Sequence, residues 1–361
     1  MQFAFFGSSL VSAYWNGAAT YYRGLLKALA ARGHSVAFYE PDAFERQAHR
    51  DIDDPDWARV TVFQPDAEGL QRSLDAAASA DVVVKFSGVG VLDRELEQAV
   101  VDMKRPNRTV LFWDVDAPAT LDSIFADPAD PLRHQIPRYD AVMTYGGGEA
   151  VVSAYEKLGA KACLPIYNAV DPATHHRVEP EDRFRTDLAF LGNRLPDREA
   201  RVEEFFLNPA AKLPERRFLL GGNGWADKPM SSNIDYIGHV YTRDHNALNS
   251  SALAVLNINR ESMARYGASP PTRIFEAAGA AACIVTDAWE GIEQFLEPDR
   301  EILLAATGDE VAAHVEALDP ERARAIGDAA CRRVLAAHTY SHRAEQLEAI
   351  LEGREALQEA I

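Results

Sequence analysis

Cysteine is scarce in this sequence of 361 residues, which contains only Cys163, Cys283 and Cys331. They form no CxxC pair and no cysteine–histidine cluster, so buried free thiols in a reducing compartment are expected. No run of about 18 apolar residues occurs, which argues against a transmembrane helix. The N-terminus MQFAFFGSSL lacks the basic and apolar segments of a signal peptide. These features predict a cytoplasmic protein with no integral membrane association.

Basic residues are also fewer than acidic residues. The chain has 37 Lys and Arg against 55 Asp and Glu, a formal net charge of −18. Such a surface repels phosphate backbones and argues against a nucleic-acid partner. A small anionic ligand remains compatible with the sequence where local arginines outweigh the overall negative field.

A glycine-rich dinucleotide fingerprint is missing as well. The first apolar run leads into residues 7–17, GSSLVSAYWNG, which do not fit GxGxxG and are long for a strand-to-helix loop. Gly17, where a helix is expected to begin, would let a ligand approach the backbone. Tyr14 and Trp15 either stack on a sugar or base, or pack the loop onto its domain.

Both halves of the chain show short apolar runs that alternate with helical patterns. The runs predicted as strands are QFAFF, SVAFYE, DVVVKFSG, TVLFWDVD, DAVMTYGGG and ACLPIY, then DLAFLGNR, RFLLGG, IDYIGHV, LAVLNIN, CIVTD and EILLAA. This alternation predicts parallel sheets in two doubly wound α/β domains. Ligands of such sheets bind beyond the carboxyl ends of the strands, so we expect the site in a cleft between the domains.

A polar stretch with two prolines separates the two halves. We predict an N-terminal domain at 1–170, a linker at 171–185, a second domain at 186–335 and a C-terminal helix at 336–361. The polar linker has no apolar period, and the alternation of strands and helices restarts directly after it.

Two carboxylates follow the apolar run that ends in FWDVDAP. Strand alternation would place Asp114 and Asp116 on one face, where they could bind a divalent metal. One of them could instead act as a general base. A third interpretation is structural, with one aspartate capping the next helix.

The strand ends of the second half carry polar groups and glycines with unusual regularity. In an acidic protein, arginines at several strand ends favour a phosphate-binding site. The candidates are Asn193, Arg194, Gly222, His239, Asn257, Arg260 and Ser262. In the first half, Gly146 and Gly147 of TYGGGE admit a ligand or form a tight turn.

The stretch PPTRIFEAAGAAACIVTD predicts a helix that begins near Pro271 and Thr272. A helix N-terminus attracts anions, and Arg273 adds a full charge in its first turn. Glu276 lies one turn later on the same face. Either the two form an intrahelical salt bridge, or Arg273 holds a diphosphate while Glu276 accepts hydrogen bonds from ribose hydroxyls. The second interpretation is better supported.

This helix resembles the donor-binding motif of GT-B glycosyltransferases. With FFGSSL, GAATYYRGLLKAL, WDVDAP and DLAFLGNRLPDR, the chain is similar over most of its length to CgeB-like glycosyltransferases, named after a spore-maturation protein. The resemblance implies two Rossmann-like domains facing a central cleft, with acceptor bound by the first and nucleotide-sugar by the second. It also implies that the C-terminal helix crosses back to the first domain.

The resemblance also implies roles for individual residues. Glu276 matches the glutamate that binds the donor ribose, and the basic loops of the family match Arg194 and Arg260, so the diphosphate role is split among these two and Arg273. The expected donor-binding set is Gly17, Asn193, Arg194, Gly222, His239, Asn257, Arg260, Ser262, Thr272, Arg273 and Glu276. The expected acceptor-binding set is Tyr14, Trp15, Gly146 and Gly147.

The leading hypothesis is therefore a metal-independent glycosyltransferase. It would use a nucleoside-diphosphate sugar, UDP- or dTDP-linked, as co-substrate, with no further cofactor and with an unidentified glycan, protein or small molecule as acceptor. Asp116 is the first candidate for the catalytic base and Asp114 the second; GT-B transferases generally lack a metal-binding DxD, which lowers the metal interpretation. Two alternatives stay open: a nucleotide-sugar epimerase or hydrolase, and a non-catalytic sugar-nucleotide-binding protein.

Overall fold

The computed structural model describes residues 1–196 and 198–353, apart from the side chain of Ser262, and divides the chain into two compact units. The first unit comprises residues 1–168 together with the C-terminal helix Tyr340–Leu351, and the second comprises Ala169–Thr339. The predicted linker at 171–185 thus lies within the second unit. Among the described residues, no helix combines the length and apolar character needed to cross a membrane.

The first unit is built on a seven-stranded parallel sheet in the order β3-β2-β1-β4-β5-β6-β7. Its strands are β1 (Gln2–Phe6), β2 (Ser35–Pro41), β3 (Arg59–Phe63), β4 (Val82–Phe86), β5 (Thr109–Asp114), β6 (Ala141–Thr144) and β7 (Cys163–Pro165). Central strands such as β4 are buried along their whole length, because helices of βαβ connections cover both faces of a parallel sheet. The edge strand β3 is half-exposed.

The helices of the first unit connect these strands. They are α1 (Ala19–Ala31), α2 (Ala67–Ala76), α3 (Asp93–Asp102), α4 (Ala117–Ala126), α5 (Pro131–Gln135) and α6 (Gly148–Lys157), with a 3₁₀ turn at Ile136–Arg138. The C-terminal helix packs against α1, where Gly24 makes room for the ring of Tyr340: a Cβ on Gly24 would lie 2.1 Å from it. Glu348 of the C-terminal helix accepts from Arg32 at 2.5 Å, which ties the two helices together.

The second unit is built on a six-stranded parallel sheet in the order β10-β9-β8-β11-β12-β13. Its strands are β8 (Leu188–Leu191), β9 (Phe218–Gly221), β10 (Ile234–Gly238), β11 (Ala254–Asn257), β12 (Ile284–Asp287) and β13 (Leu303–Ala305). In both sheets the strand order reverses beside the first strand of the unit, at β1/β4 and at β8/β11. This doubly wound topology places loops that can bind a ligand at the carboxyl edge of the sheet.

The helices of the second unit close its core from both faces. They are α7 (Glu199–Val202), α8 (Asn208–Lys212), α9 (Thr242–Ser251), α10 (Glu261–Tyr266), α11 (Thr272–Gly279), α12 (Gly308–Ala317) and α13 (Pro320–Ala337). A π-helical segment, Glu203–Leu207, joins α7 to α8, and 3₁₀ turns lie at Asp182–Phe184 and Ile292–Gln294. The core is rich in aromatic side chains, among them Phe206, Phe218 and Trp225.

Candidate functional site

Backbone contacts join the loops that follow β8, β9 and β10 in the second unit. The amide of Gly222 donates to the carbonyl oxygen of Gly238 at 2.6 Å, and its own carbonyl oxygen accepts from the hydroxyl of Tyr236 at 2.9 Å. Gly222 has φ +125°, and a Cβ there would lie 2.2 Å from the carbonyl oxygen of Gly192. The packing of these loops therefore explains why Gly222 is a glycine, and its role in donor binding stays a prediction.

Helix α11 follows β11, so its N-terminus lies on the carboxyl side of the sheet. Pro271 precedes the helix and makes no side-chain capping hydrogen bond. The guanidinium of Arg273 is half-buried, and it makes no hydrogen bond or ion pair of 4 Å or less with any residue that the structure describes. Burial lowers the pKa of Arg273, and the charge of Glu276 opposes that shift. The first turn of α11 thus places the positive charge of Arg273 at the N-terminus of a helix, which is an environment that favours an anion.

Glu276 contacts a histidine rather than Arg273. Its Oε1 lies 3.6 Å from Nε2 of His175, and both side chains are largely buried. His245 completes the group: one ligand atom from each of the three residues lies within 4.8 Å of the others. Burial lowers the pKa of His245 to about 4, with Arg273 and His175 lowering it further and Glu276 acting in the opposite direction. The intrahelical salt bridge considered from the sequence is therefore not formed.

Two imidazoles and a carboxylate are also the donor set of a transition-metal site. The positive charge of Arg273 acts on both Glu276 and His245, and it opposes a bound cation at the same place. The same charge favours an anionic ligand. That the protein needs no metal stays a prediction.

A buried polar network lies at the ends of β11 and β12. The side-chain amide of Asn257 donates to Thr286 Oγ1 at 3.0 Å, and the backbone amide of Asn259 donates to Asp287 Oδ1 at 3.0 Å. Asp287 is fully buried and pairs with Arg201 at 2.5 Å. Among the described residues, Nδ2 of Asn259 has no hydrogen-bond partner although it is buried. Asn257 therefore belongs to a buried hydrogen-bond network at the carboxyl edge of the sheet.

Arg194 is already neutralised in the structure. Its guanidinium donates to Glu199 at 2.7 Å and to Asp227 at 2.9 Å. Arg194, together with Lys228, lowers the pKa of Glu199 to about 2. This pairing supports a role in holding the loop after β8 and gives no support to a phosphate role. Arg260 is half-buried directly before α10. Ser262 follows in the first turn of α10, but its side chain lies outside the described residues.

The other predicted donor residues lie at the same edge in less specific settings. Asn193 is exposed and accepts from the backbone amide of Asn223 at 2.9 Å. His239 is exposed, and its ring meets Tyr241 edge-on at 4.7 Å. Thr272 begins α11. Their roles in binding stay predictions.

Asp114 is an anchor in the interior of the first unit. It is fully buried at the end of β5 and accepts from Ser87 Oγ at 2.7 Å, Thr120 Oγ1 at 2.9 Å, the backbone amide of Asp116 at 3.0 Å and the hydroxyl of Tyr155. Three of these donors share Oδ1 and the hydroxyl of Tyr155 binds Oδ2, so both oxygens are engaged inside the unit. These contacts support a structural role for Asp114.

Asp116 lies beyond the strand, so strand alternation does not relate it to Asp114. Strand β5 ends at Asp114, and Asp116 immediately precedes α4. Its side chain is half-buried and makes no capping hydrogen bond to α4. Its role as a catalytic base stays a prediction.

The loop of residues 7–17 is anchored from within and exposed at its tip. The side-chain amide of Asn16 donates to two carbonyl oxygens of the same loop, those of Ser9 and Ser12. Trp15 is 78% exposed with φ +47°, whereas Tyr14 stacks on His49 with ring centroids 4.0 Å apart. Trp15 thus does not pack onto its domain, which favours the ligand interpretation for that residue.

The glycines at 146 and 147 form the turn between β6 and α6. The amide of Gly146 donates to Thr144 Oγ1 at 3.1 Å, and Gly147 immediately precedes α6 with φ +93°. At the other predicted glycine, Gly17, a Cβ would meet no atom within 4 Å. The turn geometry accounts for Gly147, while Gly17 leaves open space beside the backbone.

The sequence reasoning missed His175 and His245. His175 lies in the stretch predicted as a linker, and His245 lies in a polar helix with no distinguishing motif. Seventy residues separate them, and only the fold brings both to Glu276. A sequence signal was absent because neither histidine forms a local pattern with the other or with the glutamate.

Comparison with known proteins agrees with this architecture. Residues 198–349 match the family described as glycosyl transferase-like. No curated protein matches the sequence significantly.

Solved structures match almost the whole chain at low identity. Sucrose-phosphate synthase from Thermosynechococcus elongatus has a TM-score of 0.70 at 14% identity, covering 99% of both chains. Anabaena HepE, solved with UDP and glucose, has a TM-score of 0.67 at 12% identity, covering 98% of this chain and 100% of the other. T4 phage BGT, solved with its UDP-glucose substrate, has a TM-score of 0.63 at 11% identity, covering 98% and 99%. The fold is thus GT-B, and the similarity to the glycosyl transferase-like family covers residues 198–349.

Proposed function

We propose that the protein transfers a glycosyl group from a nucleoside-diphosphate sugar, UDP- or dTDP-linked, to an acceptor hydroxyl, and that it is of the CgeB-like type. The observation that carries this proposal is the guanidinium of Arg273 in the first turn of α11, one turn from Glu276, which forms no hydrogen bond or ion pair with the residues that the structure describes. HepE and BGT, which share the fold, were solved with UDP or UDP-glucose. This supports UDP as the nucleotide.

The chemistry requires stabilisation of a diphosphate leaving group. Arg273 and the first amides of α11 would hold its negative charge, which grows as the glycosidic bond breaks. Because these groups already supply positive charge, the reaction is proposed to proceed without a metal. Glu276 would accept hydrogen bonds from the ribose hydroxyls and thereby fix the position of the donor.

The acceptor would bind to the first unit. Trp15 offers an exposed ring on which a sugar or another flat group can stack. Asp116 would take the proton of the attacking hydroxyl as a general base. Asp114 would support it indirectly, since its carboxylate accepts from the backbone amide of Asp116 at 3.0 Å.

The three free thiols support a reducing, cytoplasmic location, because two of them are buried and none is paired. Burial raises the pKa of both Cys163 and Cys283 to about 12, so these thiols are unreactive. We assign them no catalytic role.

A thermal-shift and turnover experiment tests the proposal. A nucleotide at 100 times its dissociation constant stabilises the bound state by roughly 2.7 kcal/mol, so UDP, UDP-glucose and dTDP-glucose can be ranked directly. Slow donor hydrolysis that persists in EDTA and accelerates with an acceptor extract is expected. Conversion of the donor to a new nucleotide-sugar without acceptor would favour an epimerase. Loss of turnover in EDTA, with rescue by magnesium or manganese, would overturn metal independence.

A further inference from the structure

The second unit contains a cavity of about 790 Å³ at the amino edge of its sheet. Its wall includes Thr186, Leu253 and Cys283, which come just before β8, β11 and β12. These strands are parallel, so the candidate donor site at their carboxyl ends lies at the opposite edge. Small-molecule sites typically have volumes of about 300–1,000 Å³. The cavity is therefore large enough for a ligand and is separate from the candidate donor site.

The stretch that the sequence predicted as a linker forms one wall of this cavity. The backbone amide of Val178 donates to Ser250 Oγ at 3.1 Å, and that of Glu181 donates to Ser251 Oγ at 2.8 Å. Both serines lie in the last turn of α9. Because these hydrogen bonds fix the wall to a helix, the cavity is formed before a ligand binds, which lowers the cost of binding.

Asn249, also in the last turn of α9, is the residue that indicates a ligand. It is 5% exposed and lines the cavity. Its side-chain amide forms no hydrogen bond with any residue that the structure describes. A buried polar group without a partner costs roughly 1–3 kcal/mol. Since an amide both donates and accepts, a ligand with hydroxyl groups would satisfy it.

Arginines predominate among the charged residues around the cavity. Of the described residues that line it, Arg177, Arg185 and Arg324 are basic and Glu179 is acidic. In a chain with a net charge of −18, this local excess of positive charge favours an anion. Arg177 and Arg185 have carboxylate partners at 2.5 and 2.7 Å, whereas Arg324 forms no ion pair with a residue that the structure describes. Arg324 is therefore available to an anionic ligand.

We propose that this cavity binds a monosaccharide that carries an oxyanion, either a sugar phosphate or a uronic acid. Arg324 would bind the phosphate or carboxylate through charge-assisted hydrogen bonds, and Asn249 and Ser250 would bind hydroxyl groups of the sugar. The site goes beyond the proposed function, because it lies away from Arg273 and Glu276 and does not depend on a bound nucleotide.

Isothermal titration calorimetry of the full chain tests this proposal with glucose 1-phosphate, glucuronic acid, glucose and orthophosphate as probes. We expect at least one of the two sugar anions to bind, and the stronger of them identifies the oxyanion. Glucose and orthophosphate each offer only one of the two kinds of group, so they should bind at least about tenfold more weakly, a difference of about 1.4 kcal/mol. No binding of either sugar anion at millimolar concentration would overturn the proposal, and so would equal affinity for orthophosphate and the sugar anion.

Two variants locate the binding. Asn249→Leu and Arg324→Gln should each weaken binding of the sugar anion roughly tenfold, and Arg324→Gln should also reduce its advantage over glucose, because the charge is removed. Arg332→Gln is the matched control, since Arg332 is an exposed arginine on the same helix α13 outside the cavity. It should keep the wild-type affinity. If neither cavity variant weakens binding, the ligand lies elsewhere and the proposal is wrong.

Two further measurements exclude a structural role and the donor site. Because the amide of Asn249 has no partner in the described chain, Asn249→Leu should not lower the melting temperature. A large decrease would show that Asn249 supports the fold and would refute its role in binding. Arg273→Ala should keep the affinity for the sugar anion, since Arg273 belongs to the opposite edge of the sheet. Loss of binding in Arg273→Ala would place the anion at the candidate donor site and contradict the cavity proposal.

Discussion

Replacing Asp114 by asparagine separates a structural anchor from a catalytic residue. The carboxylate is fully buried and accepts from Ser87, Thr120, Tyr155 and the amide of Asp116. Asparagine has nearly the same shape. Its NH₂ group, however, is a hydrogen-bond donor, and it would lie where one carboxylate oxygen of Asp114 accepts a hydrogen bond. The substitution therefore removes acceptor capacity without creating a cavity.

The magnitude follows from the number of contacts. Three of the four donors share Oδ1, so an asparagine oxygen in that place can keep them, and the NH₂ group that replaces Oδ2 loses the hydrogen bond from the Tyr155 hydroxyl. At roughly 1.5–3 kcal/mol for one hydrogen bond to a charged group, the free energy of unfolding should fall by about 1.5–3 kcal/mol. For a unit of this size, 3 kcal/mol corresponds to a decrease in melting temperature of roughly 6–12 °C.

Differential scanning calorimetry of Asp114→Asn and Asp116→Asn provides the matched comparison. We expect a large decrease in melting temperature for Asp114→Asn. For Asp116→Asn we expect an almost unchanged melting temperature together with a loss of turnover much larger than the loss of donor affinity. An Asp114→Asn protein with wild-type stability and no activity would refute the structural assignment and return Asp114 to the catalytic site.

Three further predictions concern other parts of the molecule. Glu276→Ala should weaken UDP binding by roughly 1.5–3 kcal/mol in calorimetry without unfolding the protein, and unchanged affinity would remove Glu276 from the donor site. Burial raises the pKa of Glu97 to about 7 from 4.5, although Lys85 lies nearby. The raised pKa contributes about 3 kcal/mol to the free energy of unfolding, and this contribution is complete below about pH 4.5 and is lost as the pH rises through 7. Urea unfolding of Glu97→Gln should show a flatter pH dependence than wild type, and higher stability at pH 8. Gly222→Ala should cost roughly 1–3 kcal/mol in unfolding free energy, since φ is +125° and the added Cβ would meet the carbonyl oxygen of Gly192; an unchanged melting temperature would contradict this.

Much of the fold could be predicted because buried parallel strands appear as apolar runs. The runs in both sheets that were predicted as strands include every central strand, and the RIFEAAGA segment forms α11 as expected. The sequence reading missed β3, whose sequence RVTVF contains an arginine and a threonine. As an edge strand, β3 is exposed on part of its surface and needs no continuous apolar run.

The site was less predictable because its contacts join distant parts of the chain. The D-x-D spacing suggested a pair of equivalent carboxylates, whereas Asp114 is buried among hydroxyl donors that no local pattern reveals. Arg194 matched a phosphate-binding position, but the carboxylates of Glu199 and Asp227 neutralise it. Local sequence indicates the type of residue at a strand end, and only the fold shows which charges are already paired.

The central claim is that Arg273 holds the diphosphate of the donor, and one calorimetric comparison tests it directly. The dissociation constants of UDP and uridine are measured for wild type, Arg273→Ala and the control Arg324→Ala, an exposed arginine on α13. The account predicts that Arg273→Ala weakens UDP binding by about 1.5–3 kcal/mol, roughly 10- to 150-fold, and leaves uridine binding unchanged, while Arg324→Ala changes neither. Equal losses for UDP and uridine, or no loss for UDP, would contradict it.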